Sequence, residues 1–168
     1  MFRAILRGAV AGAVGTTALN AVTYLDMAVR GRPASDTPQR TVEALARRVG
    51  APLPGEGETR ANRLTGLGAL AGIATGVGVG AVLGLARWYG WRPPRVLGAA
   101  LAGAAAMAAS DVPVAGLGVS DPRTWSATGW VSDVVPHLTY GVATTAVLDA
   151  AYAPPSVTTL NRSTGTRG

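Results

Sequence analysis

Four stretches of about 20 apolar residues, each nearly free of charge, constrain this chain more than any other feature of it. They run from about Gly8 to Val29, Leu64 to Trp88, Val96 to Val114 and Val134 to Ala153. At 1.5 Å rise per residue, a helix of about 20 residues crosses the ~30 Å hydrocarbon core of a bilayer. Inside that core each backbone polar group must find its partner within its own segment, so stretches of this kind predict helices. The expected fold is all-α: an integral membrane four-helix bundle over residues 1–153. Trp88, Tyr89 and Trp91 close the second segment, and Trp125 and Trp130 precede the fourth, in the manner of interfacial aromatic belts. The third is Ala-rich and weakly apolar, so its neighbours are expected to help it insert. The first has a rival reading as a signal peptide behind Arg3 and Arg7. Its apolar part is rich in Gly and Thr and no clean small-x-small cleavage site follows, so it is read as a retained span.

Composition agrees. The 168 residues suit one domain, and only 14% are charged, against about a quarter in a soluble domain. Glycine is abundant, at 23 residues. All basic residues are arginine, which points to a GC-rich bacterial genome. The net charge of +6 raises nucleic acid as a partner. The arginines instead flank apolar segments, as at Arg30, Arg32, Arg63, Arg87, Arg92 and Arg95. That is the placement of lipid-headgroup contacts, so the bilayer is the expected partner and nucleic acid is not. With no cysteine, disulfides, thiolate nucleophiles and Cys-ligated metals are excluded.

The first loop, Arg30 to Arg63, carries a helix of its own over about residues 37–49. Asp36 is a candidate cap, with Pro38 in the first turn and Gln39 three residues on. Val42, Leu45, Ala46 and Val49 recur at helical spacing, Glu43 and Arg47 form an i,i+4 pair, and Gly50, Pro52 and Pro54 end the element. This short amphipathic helix lies on the membrane surface or packs on the loop side of the bundle. The tail, residues 154–168, is Ser/Thr/Gly/Arg-rich and is predicted to be disordered.

Gly68, Gly72, Gly76, Gly80 and Gly84 recur every four residues in the second segment. They make a smooth groove along one helix face that another backbone can approach closely. The first segment offers Gly8 and Gly12 in return, and the third offers Ala99 and Gly103. The ladder reads as packing within one chain, as an oligomerisation face for a homo-oligomer, or as a pore wall.

Ionisable groups within a bilayer are costly and face the bundle interior. Four crossings bring the end of the first span, the start of the second, the end of the third and the start of the fourth to one leaflet. Asp26, Asp111, Asp133 and His137, the single histidine, therefore share a side. Asp133, His137, Tyr140 and Thr144 share a face of the fourth span, as do Thr16, Asn20 and Tyr24 in the first. The polar cluster is thus drawn from Asp26, Asp111, Asp133, His137, Tyr140, Asn20 and Tyr24. Plainer readings stand beside it. Asp26 can pair with Arg30, His137 can be a satisfied interhelical hydrogen-bonder, Tyr24 and Tyr140 can be belt residues, and Asp149 can face headgroups at the opposite surface. Ser110-Asp111-Val112-Pro113 predicts that the third helix ends or kinks there.

No hydrolase triad order, HExxH, phosphate loop or dinucleotide fingerprint occurs, so no catalytic residue, metal or cofactor is assigned. Arginines number seven on the amino-terminal side and eight on the other. The dense group at Arg87, Arg92 and Arg95 tips the orientation toward cytoplasmic termini, in a multi-pass protein of the inner or plasma membrane.

Gly-Ala-Val-Ala-Gly from Gly8, Tyr24-Leu25-Asp26-Met27, Arg30-Gly31-Arg32-Pro33-Ala34-Ser35, and Trp130 with Pro136-His137-Leu138-Thr139-Tyr140-Gly141 carry a resemblance. In these the chain resembles small bacterial membrane proteins of the YagU-like inner-membrane family. That implies a polytopic inner-membrane protein without an established reaction, with a link to acid tolerance in one branch. The expectation is a non-enzymatic membrane protein, proton-linked or tied to envelope stress. A small channel or transporter subunit and an intramembrane enzyme using His137 as a base are the alternatives.

Overall fold

The computed structural model describes residues 1–153; the predicted disordered tail lies outside them. The described residues form five α-helices and no strand: α1 (Phe2–Arg30), α2 (Thr37–Arg48), α3 (Gly57–Trp88), α4 (Arg95–Gly116) and α5 (Ala127–Ala151). A single 3-10 turn, Pro122–Thr124, joins α4 to α5. Three helices, α1, α3 and α4, are long and apolar enough to cross a membrane. α5 is not among them, because Asp133, His137, Asp149 and its threonines lower its apolar character.

Glycine and proline set the element ends. Gly31 closes α1 at φ 61°, a left-handed conformation that costs glycine little, and Arg32 N–H returns to the Met27 carbonyl at 3.2 Å. Pro93 and Pro94 separate α3 from α4, and Ser126 caps α5 by accepting from Gly129 N–H at 3.1 Å. Two local expectations are corrected. Asp36 stands at the start of α2 without a side-chain cap bond, and Ser35 Oγ accepts from Thr37 N–H at 3.2 Å instead. Helix α4 does not end at Pro113 but runs on to Gly116, since proline lacks only the N–H and its carbonyl still accepts, from Leu117 N–H at 2.9 Å.

The four long helices run antiparallel to their sequence neighbours. α1 packs against α3 and α5, α4 packs against α5, and α3 meets α4 only sparsely. Backbones come closest where glycines coincide. A Cβ added at Gly80 would lie 2.5 Å from Gly12 Cα, and one at Gly8 would lie 2.9 Å from Gly84 Cα. At such separations dispersion and Cα–H···O contacts accumulate along the seam. The ladder thus divides. Gly76, Gly80 and Gly84 take α1 backbone and the Thr16 side chain, Gly68 takes Pro38 of α2, and Gly72 faces open space. Gly103 does not face α3 but lies against α5, where a Cβ would meet the His137 carbonyl at 2.7 Å.

Helix α2 rests on the first part of α3. Glu43 is bound by Arg60 at 2.7 Å and Arg47 at 3.1 Å, and Arg40 reaches the Val119 carbonyl at 2.9 Å. The Arg60 guanidinium beside Glu43 holds that carboxyl below the usual carboxylate range.

Candidate functional site

The single histidine gathers with Asp133, Ser110 and Asp111 where the end of α4 meets the start of α5. Gly103 and Gly141 create this gathering at a distance. A Cβ on Gly141 would sit 2.6 Å from the Gly103 nitrogen, so the two backbones are nearly in contact there. Two turns along α4, that closeness brings Ser110 within reach of α5. Ser110 Oγ lies 3.4 Å from His137 Nε2 and 3.2 Å from Asp111 Oδ1, and donates to the Met107 carbonyl at 2.9 Å. On its other edge the imidazole places Nδ1 2.8 Å from the Asp133 carbonyl and 3.4 Å from Asp133 Oδ1. The spacing of four residues puts Asp133 one helical turn before His137, which is why both atoms of one residue meet one ring nitrogen. His137 is mostly enclosed, with 13% of its side chain exposed, and Asp133 Oδ2 is buried without a hydrogen-bond partner among the described residues.

The other expected members fall elsewhere. Asp26 is bound by Arg30 at 3.1 Å and Arg32 at 2.5 Å, an ion-pair group at the end of α1. Arg30 also donates to Ser132 Oγ at 2.7 Å, so this group abuts the first turns of α5 beside Asp133. Asn20 is half-buried and Tyr24 is exposed on α1. Tyr140 lies deeper, 1% exposed, and its hydroxyl donates to the Gly76 carbonyl at 2.7 Å. The missing side chain at Gly76 makes room for that ring and for Thr16. Thr144, one turn beyond, is fully buried against Gly15.

A second polar group closes the opposite end of the bundle. Arg87, 6% exposed, donates to Asp149 Oδ1 at 2.8 Å, and Arg95 Nε reaches Asp149 Oδ2 at 3.2 Å. One carboxylate thereby ties α3, α4 and α5 together. Tyr152 donates to the Gly84 carbonyl at 3.0 Å, and Arg7 lies 5.3 Å above its ring. Asp149, expected from its position near the end of α5 to face headgroups, instead pairs with Arg87 and Arg95. The alternation of helix direction that groups Asp111 with His137 also puts these three residues on one rim, so the pairing is legible in the sequence.

No set of three or more His, Asp or Glu among the described residues has the arrangement of a metal site. No protein-family model, curated protein or solved structure matches the chain.

Proposed function

We propose that the chain is a non-enzymatic, multi-pass membrane protein whose α4–α5 junction takes up protons. In this reading α5 crosses the bilayer beside α1, α3 and α4. Tyr140, Thr144 and Thr145 are buried within the bundle and would not meet lipid. The observation that carries the proposal is the His137 ring, with Asp133 at one nitrogen and Ser110 of the neighbouring helix at the other. An imidazole can take a proton at one nitrogen and release one at the other, and a change in its charge acts on both helices it joins. Asp111 and Asp133 are the groups that would exchange protons with it. A pore along the glycine ladder is not favoured, since α1 backbone lies against Gly76, Gly80 and Gly84.

His137 is the only histidine, so selective isotope labelling reports a single ring. In detergent micelles its resonances should titrate, and Asp133→Asn should move the midpoint. Thermal stability of the bundle should change over the same pH interval, and His137→Ala should abolish that dependence. A ring that keeps one protonation state from pH 4 to 9, with pH-independent stability, overturns the proposal.

A further inference from the structure

The two rims of the bundle carry unequal charge. At the rim built from the end of α1, α2, the start of α3, the end of α4 and the start of α5, eight arginines stand with eight carboxylates. Six of those arginines are in ion pairs with Asp26, Asp36, Glu43 or Asp121. At the opposite rim Arg3, Arg7, Arg87, Arg92 and Arg95 stand with Asp149 alone among the described residues. Asp149 is already shared by Arg87 and Arg95, and the Arg95 side chain is still 87% exposed. Arg92 is exposed and has no carboxylate partner among the described residues.

The unneutralised charge sits at the end of a particular seam. Sparse contact between α3 and α4 leaves an apolar groove of about 430 Å³, bounded by Gly78, Val79, Val82 and Leu83 on α3 and by Ala105 and Ala109 on α4. The connection 89–94, which holds Trp91 and Arg92, joins these two helices at the basic end of the seam, and Arg95 opens α4 there. No arginine lines the groove itself; Arg95 lies ten residues along α4 from Ala105, about 15 Å at helical rise, a distance that the hydrocarbon chain of an amphiphile with an anionic head can span. Guanidinium matches phosphate in charge and in fork geometry. A second copy of the chain fits less well. Symmetric pairing at this seam within one membrane would bring Arg92 and Arg95 of both copies together, like charge against like.

We propose that the α3–α4 seam binds one anionic phospholipid, with an acyl chain in the groove and the phosphate held by Arg92 and Arg95. The site rests on the reading of the bundle as membrane-spanning. Because anionic lipid is concentrated in the cytoplasmic leaflet, it also directs this rim, and the start of α1, to the cytoplasm.

The test is lipid retention by the full chain in non-ionic detergent, read by native mass spectrometry against dioleoyl phosphatidylglycerol and dioleoyl phosphatidylcholine. Phosphatidylglycerol should be retained in preference. Arg92→Gln and Arg95→Gln should each weaken it roughly five-fold and leave phosphatidylcholine unchanged. Arg48→Gln, on the neutral rim, should have no effect. Gly78→Leu should lower retention of both lipids, because a Cβ there meets nothing within 4 Å and the new side chain enters the groove without disturbing the fold. Equal retention of the two lipids, indifference to the arginine substitutions, or a chain dimer that Gly78→Leu dissociates would each overturn the site. Failure of the membrane reading shows separately, as folded chain recovered from the aqueous fraction without detergent.

Discussion

Helix α3 presents glycine to two neighbours with opposite results. Toward α1, Gly80 and Gly84 meet Gly12 and Gly8, and the backbones touch. Toward α4, Gly78 meets open space and a groove remains. A glycine-rich face permits close approach, and close approach follows only where the partner also offers glycine in register. Helix α4 spends Gly103 on Gly141 of α5, turns Gly98 toward Thr145, Pro93 and the Arg87 side chain, and leaves Gly116 in open space, so none of its glycines lies against a glycine of α3.

Filling the closed seam should produce the largest effect. Gly80→Leu drives a side chain into the α1 backbone, where even a Cβ would stand 2.5 Å from Gly12 Cα. The loss should exceed the ~1–3 kcal/mol of ordinary overpacking, because neither backbone can give way. Denaturation in mixed micelles would show it, and a near-neutral result would mean that the seam is not the tight one. Next in size is Asp149→Asn. It leaves the buried Arg87 without its carboxylate at the end of the loose seam, with an expected cost of about 3 kcal/mol. If Asp149 of α5 holds the loose seam by bridging Arg87 of α3 and Arg95 of α4, cross-linking between α3 and α4 should fall while cross-linking between α1 and α3 does not. Tyr140→Phe removes the hydroxyl that α5 donates to the Gly76 carbonyl of α3 and should cost about 1 kcal/mol without altering oligomeric state.

The smallest effect concerns α2 on α3 and depends on pH. The Glu43 carboxyl is held below its usual value by Arg60, so its contribution is complete above the ordinary carboxylate range. It should be lost as pH falls through the depressed folded value. Hydrogen exchange in α2 should therefore quicken under acid, and Glu43→Gln should give the fast rate at every pH. An acid response that survives Glu43→Gln would assign it to another group.

Helices were legible where hydropathy speaks, and their ends were less so. α3 begins at Gly57 rather than near Leu64, and α5 at Ala127 rather than near Val134, because hydropathy marks the apolar stretch while helical hydrogen bonding continues into polar sequence. Asp133 and His137 were placed together by their spacing on one helix. Ser110 and Ser132, which join α4 and α1 to that face, were not found, since register between helices leaves no trace in the spacing along either. Asp26 shares the rim with His137 but is taken up by Arg30 and Arg32, nearer partners for this half-buried carboxylate.

The sequence alone determined an all-helical chain with long apolar elements, the repeat of small residues on α3 and the run of polar groups along one face of α5. These follow from local chemistry, because backbone bonds close within each helix and side-chain spacing assigns each residue to a face. Only the tertiary structure decided that α1 fills the Gly76–Gly84 part of the ladder, that Arg87 gives up solvent for Asp149, and that the His137 ring reaches Ser110. Those outcomes depend on how far one helix slides along another. Sliding by one turn exchanges one set of small residues for the next at little cost to any single helix, and the choice is made by the sum of contacts over the whole bundle.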